Sequence, residues 1–184
     1  MRTFIAVNLT DEFKKDVLDL YRGFRRSIKG AVKWVKPANL HFTLKFLGEV
    51  KQEELMTVSQ AIAEAARQIS SFQLGLAGPG VFPGPAKPKV LWLGVNEGQK
   101  ELEGLNVLLE DGLSDAGFPP EKRPYHPHLT LARFKGSVAG LQVLLEDFTL
   151  ERKVMMQVDR IHLMESRLSP AGPEYISLQK FPLE

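Results

Sequence analysis

Two histidines in this chain share one four-residue setting. His41-Phe42-Thr43-Leu44 and His128-Leu129-Thr130-Leu131 lie 87 positions apart in 184 residues, close to half the length. With six threonines in the sequence, a given histidine meets one at that offset by chance about 3% of the time. Two such meetings among four histidines, each followed by leucine, read as a repeat. Imidazole ordinarily titrates near pH 6.5, so at neutral pH one ring can accept a proton while another donates one. A hydroxyl two residues on can orient the ring or hold a charged oxygen. Metal-free displacement at phosphorus asks for this set: a base for the nucleophile, an acid for the leaving oxygen, and donors for the non-bridging oxygens.

Strand geometry would aim these groups together. Side chains at i and i+2 share a face, so His41, Thr43 and Lys45 should point one way and Phe42, Leu44 and Phe46 the other. His128 and Thr130 should likewise stand over Leu129 and Leu131. Lys45 and Arg133 are the candidate phosphate cations. Alternation alone puts Lys45 on the histidine face, whereas Arg133, five residues after His128, needs a bulge or the strand's end to turn it there.

Other residues carry weaker signals. His126 precedes Pro127 and is biased to an extended backbone. The His126-x-His128 spacing could suggest a metal pair, but without cysteine or a helical His-x-x-x-His a hydrogen bond supporting the site is the preferred reading. His162, in an apolar strand, reads as structural. Trp34, Phe82, Trp92 and Tyr125 are of the type that stacks a nucleobase, although strand aromatics more often belong to the core. Arg22, Arg25, Arg26 and Lys29 form a basic helix end, open equally to tracking a nucleic-acid backbone and to complementing the helix dipole.

The elements that must position the motifs follow from patterning. Phe4–Leu9 reads as a strand, and Thr10-Asp11-Glu12 opens a helix with a capping hydroxyl and early acids. Phe13, Val17, Leu20, Phe24 and Ile28 continue it at helical spacing to Gly30. A strand over Leu40–Leu47, a helix over Gln52–Ile69 and a strand over Phe72–Leu76 come next. The Pro/Gly-rich stretch 77–89 is expected to be a stiff connector, with a rim over the site as the second reading. Then Val90–Val95 (strand), Gln99–Leu113 (helix), His128–Phe134 (strand) and a helix around Val138–Phe148 replay the order. Strands near Val154–Val158, Ile161–Glu165 and Tyr175–Gln179 close the chain. The expected fold is α+β and internally duplicated: one bilobal domain over 1–184 with pseudo-repeats at about 1–76 and 90–184. Each lobe should have an antiparallel sheet and helices, related by a pseudo-two-fold axis around a central cleft.

Composition limits the alternatives. Hydrophobic residues at 43%, charged residues at 25% and a net charge of +2 fit an ordinary globular protein whose nucleic-acid contacts must be local. There is no cysteine, which removes disulfides, Cys-ligated zinc and thiol nucleophiles. The N-terminal apolar run is too short for a signal peptide and no stretch approaches a membrane span, so a cytoplasmic protein with no membrane partner is expected.

The residues His41-Phe42-Thr43-Leu44-Lys45-Phe46-Leu47-Gly48 and His126-Pro127-His128-Leu129-Thr130-Leu131-Ala132-Arg133 resemble the two-histidine phosphoesterase superfamily. Within it they are similar to the RNA 2′,3′-cyclic phosphodiesterase family, historically called 2′-5′ RNA ligases. Arg2–Val7, Gly80-Val81-Phe82-Pro83, Val90–Val95, Leu163-Met164-Glu165-Ser166 and Tyr175 extend the likeness nearly end to end. The resemblance implies hydrolysis of an RNA terminal 2′,3′-cyclic phosphate to a 2′-phosphomonoester, with no metal and no cofactor. It also implies His41 as proton donor, His128 as proton acceptor and Arg133 on phosphate; the two local patterns alone do not distinguish acid from base. The expected partner is an RNA end, with tRNA fragments and cyclic nucleotides as candidates, acted on by a monomer. The alternatives are ATP-independent, reversible 2′-5′ RNA joining and a non-catalytic module that binds nucleotides or RNA ends.

Overall fold

The computed structural model describes residues 1–170 and 172–184. Strand β1 (Arg2–Asn8) is buried on both faces, Ile5 and Val7 in the main core and Phe4 and Ala6 in a smaller cluster opposite. Helix α1 (Asp11–Ser27) begins where its cap predicts: the Phe13 N–H donates to Thr10 Oγ1 at 3.3 Å. Asp11 and Glu12 open it and Arg25 and Arg26 close it, each complementing the dipole at its end. Its inner stripe is Phe13, Val17, Tyr21 and Phe24.

The chain continues through β2 (Val32–Trp34), a 3-10 turn at Pro37–Asn39, β3 (His41–Glu49), α2 (Leu55–Ala66) and β4 (Phe72–Phe82). Then follow β5 (Val90–Glu97), α3 (Gln99–Asp115), β6 (Leu129–Phe134), α4 (Leu141–Glu146), β7 (Met155–Val158), β8 (Arg160–Ser169) and β9 (Gly172–Pro182). Every strand pairing is antiparallel, in the order β7-β4-β5-β6-β3-β1-β8-β9, with β2 also beside β6. Among the described residues, no helix is long and apolar enough to cross a membrane.

Among the described residues the fold is α+β, with a curled antiparallel sheet and four helices. The two expected sheets are halves of one nine-stranded sheet, joined where the motif strands touch through the single pair Phe42↔Leu129. The spatial halves are not the sequence halves. After α2 the chain crosses to place β4 beside β5, and after β7 it crosses back to place β8 and β9 beside β1. The helices follow suit: α1 packs on β7 and α4 on β4, α2 packs on β8 and β9, and α3 bridges β3 and β5.

The stretch expected as a connector is also different. Residues 77–82 belong to β4, with Pro79↔Leu93 and Gly80↔Trp92 in register. The Trp92 ring lies so close against Gly80 that an added Cβ would clash with its Cζ2. A glycine that reads as a strand breaker is here what lets a tryptophan cross the neighbouring strand.

Candidate functional site

Both motifs lie on the sheet face turned away from the helices, flanking the pair that joins the two halves. Phe42 and Leu129 are fully buried on the helix side. One step either way in that antiparallel register sets His41 opposite Thr130 and Thr43 opposite His128. Four polar side chains therefore converge where the sheet is narrowest.

Each imidazole is held by the backbone two residues before it. His41 Nδ1–H donates to the Asn39 carbonyl at 2.7 Å, and His128 Nδ1–H donates to the His126 carbonyl at 2.6 Å. A carbonyl only accepts, so the proton resides on Nδ1 and each neutral ring presents a bare Nε2. At His41 that nitrogen accepts the Thr43 hydroxyl at 3.0 Å. No such contact from Thr130 occurs at His128 among the described residues. Burial holds His41 below the ordinary histidine range; the Asn39 carbonyl pushes back and the positive charge of His128 lowers it further. Burial also lowers His128, opposed by the His126 carbonyl, with His126 and Arg133 adding to the depression. His41 thus lies near enough to His128 to feel its charge.

Aromatic walls differ on the two sides. His41 packs against Phe4 (ring centroids 4.9 Å apart) and edge-on against Tyr175 (5.2 Å). His128 meets the edge of Phe82 at 5.2 Å, and Trp92 packs against Phe82, His126 and His128. Phe82 and Trp92 therefore form a floor under the second motif. Trp34 packs against Tyr21, and Tyr125 donates its hydroxyl to the Thr43 carbonyl at 3.0 Å. That bond ties the segment leading into His128 to the first motif strand. Burial pushes the Tyr125 phenol far above its ordinary range, so it stays a donor.

The two cation candidates part company, and β-bulges decide it. In β3, Ala6 pairs with Thr43 but Ile5 pairs with Lys45, leaving Leu44 as an extra residue. Lys45 is thereby turned to the helix side. It is 4% exposed and forms an ion pair with Glu110, with a further bond to the Pro119 carbonyl. The alternation that assigned Lys45 to phosphate fails for this reason: two consecutive residues share the core face. In β6, Thr130 pairs with Trp92 and Ala132 with Leu91, leaving Leu131 extra. Arg133 is thereby returned to the histidine face, where it is exposed and its charge reaches His128.

The same bulge in β3 brings Phe46 to the histidine face at the position matching Arg133. It is 64% exposed and 6.0 Å from Phe4. Sequence alternation had put Phe46 in the core. Asn39 was also missed: its carbonyl holds His41 while its side chain donates to the Pro173 carbonyl at 2.7 Å, fastening the β8–β9 hairpin beside the ring. No residue-type signal marks either position. His162 matches its structural reading, buried with Nδ1 on Ser177 at 3.0 Å. Arg22 pairs with Asp19 on the exposed side of α1. His126 and His128 stack with centroids 6.4 Å apart. Among the described residues no third histidine or carboxylate gathers there as a metal ligand.

Known proteins resemble this chain in sequence and in fold. An RNA 2′,3′-cyclic phosphodiesterase of Methanothermobacter thermautotrophicus is 36% identical, covering all of this chain and 99% of that one. A protein of the same name from Thermotoga maritima is 34% identical over 100% of this chain and 96% of its own. A solved Thermus thermophilus structure superposes with a TM-score of 0.80 at 30% identity, covering 100% and 98%. E. coli LigT complexed with 3′-AMP gives 0.78 at 26% identity, covering 99% and 97%. The profile of the 2′-5′ RNA ligase superfamily matches residues 22–169, most of the chain and both histidine motifs, and the chain belongs to that superfamily.

Proposed function

We propose that this protein hydrolyses the 2′,3′-cyclic phosphate at an RNA 3′ end to a 2′-phosphomonoester, using two histidines and no metal. The observation that carries this reading is the paired setting of His41 and His128. Each has Nδ1 pinned by the carbonyl two residues back, and each presents Nε2 on one shared face. The relatives' shared name, RNA 2′,3′-cyclic phosphodiesterase, supports the substrate class.

His128, whose Nε2 is unengaged, takes the proton of a water as the water oxygen attacks phosphorus. The bond from phosphorus to the 3′ oxygen breaks, and His41, entering the step protonated on both ring nitrogens, delivers the Nε2 proton to that oxygen. Thr43, already on His41 Nε2, and Thr130 hydrogen-bond the non-bridging oxygens or keep the rings in line. Arg133 supplies positive charge to the phosphorane as it forms. The matched motif settings also support a chain built from two pseudo-repeats, about 1–76 and 90–184.

The test is hydrolysis of an oligoribonucleotide ending in a 2′,3′-cyclic phosphate, carried out in EDTA, with the product isomer identified. A 2′-phosphate product formed by the wild type and lost in both His41→Ala and His128→Ala is expected. Absence of turnover in EDTA with recovery on added metal would overturn the two-histidine mechanism.

A further inference from the structure

We propose that Lys33 binds the phosphodiester linking the terminal nucleotide to the rest of the RNA, so that the strand leaves the site across β2. This rests on the RNA-end reading above and adds the direction and grip of the polymer.

Strand β2 is three residues long and pairs with β6 where β3 has diverged from it, filling the gap between the motif strands. Its central residue, Lys33, stands directly opposite Arg133, while Trp34 pairs with buried Ala132 on the helix side. Lys33 therefore shares the histidine face with Arg133, and both side chains are exposed. Like charges placed opposite each other across two strands are destabilising. Neither belongs to an ion pair among the described residues, so no paired carboxylate among them offsets the repulsion. A polyanion would.

The surroundings leave this side as the exit. On the β5–β4 side the face is floored by Trp92 and Phe82, and on the β1 side by Phe4 and Tyr175. At the far end of the motif strands, the segment before His128 is tied down through Tyr125 and Lys45. Arg133 lies about 7 Å beyond Thr130 along β6, with Lys33 one strand spacing, about 4.8 Å, to the side. A cyclic phosphate between the two histidines would occupy Arg133, leaving Lys33 for the next phosphate of the chain.

The experiment compares kcat/KM for a short oligoribonucleotide ending in a 2′,3′-cyclic phosphate with that for the 2′,3′-cyclic mononucleotide, in wild type, Lys33→Ala and Lys33→Arg. The oligomer-to-mononucleotide ratio is expected to fall about tenfold in Lys33→Ala and to recover largely in Lys33→Arg. The slope of log kcat/KM for the oligomer against log salt is expected to flatten by about 0.7, the loss of one single-strand phosphate contact. An unchanged ratio, or a fall shared equally by both substrates, overturns the assignment of Lys33 while leaving the activity reading intact. If the wild type hydrolyses neither substrate, the RNA-end reading fails and the role of Lys33 falls with it.

Discussion

The two motif strands run on the same backbone plan and carry different cargo. In β3 and in β6 the histidine is pinned through Nδ1 by the carbonyl two residues earlier, and the motif leucine is the extra residue of a bulge. The bulge sends the residue after that leucine into the core and the next one to the histidine face. In β3 these residues are Lys45 and Phe46; in β6 they are Ala132 and Arg133. One half of the site therefore offers an aromatic face and hides its cation, while the other offers its cation. The backbone fixes where groups stand, and the residue type at two positions turns a nearly symmetric site into a polar one with an aromatic and a cationic side.

Removing either imidazole is the severest way to break this pairing. His41→Ala and His128→Ala are each expected to lose about 10²–10⁴-fold in kcat while remaining folded, as measured by steady-state hydrolysis alongside circular dichroism. A double variant no worse than either single is expected, because the two act as a unit.

Next in size is Lys45→Met. Leaving Glu110 without its buried partner should cost about 3–5 kcal/mol of stability by denaturant unfolding. At temperatures where the variant is folded, KM should stay near wild type. A large rise in KM with stability preserved would restore Lys45 to the phosphate side and undo the contrast between the strands.

Arg133→Ala is expected to lower kcat/KM by about 10²-fold through lost charge stabilisation. Truncating Phe46 to alanine should cost less, about 1–3 kcal/mol in binding of a terminal nucleotide, if a base stacks on it. Exchange of the two residues in one chain would show whether the sides are interchangeable; retained activity there would mean that polarity is not required.

The finest test is the pH profile. His128 must be neutral and His41 protonated for the proposed step, and both titrate below the ordinary 6.5 in the free protein. The optimum of kcat/KM is therefore expected on the acid side of pH 6.5. Arg133 lowers His128, so Arg133→Ala should raise it and move the acid limb to higher pH. An acid limb that stays in place would mean that Arg133 does not act on His128.

Much of this was readable from residues because it depended on local rules. The cap and stripe of α1 followed from Thr10 and the spacing Phe13-Val17-Phe24, and the motif histidines from their repeated offset. The bulges escaped because alternation assumes an unbroken register. In β6 the adjacent apolar pair Leu131-Ala132 was a faint sign of one. In β3 the second residue of the pair is Lys45, whose charge argued for solvent until Glu110, 65 positions away, supplied a buried partner. The second half of β4, residues 77–82, was missed because Pro79 and Gly80 are breakers by propensity, and the need for Gly80 arises from Trp92 on another strand. β2 is too short to show a period, and its place is set by where β3 and β6 separate.

The single pair that joins the halves has a consequence for how such a site can change over time. Phe42 and Leu129 meet through their main chains, so the span between the two imidazoles is inherited from peptide geometry and not from the side chains that line the face. Substitutions at Phe46, Arg133 or Lys33 can redirect what is bound while the reach from one imidazole to the other stays the same. A lineage built on this junction can explore new substrates without having to rediscover its chemistry.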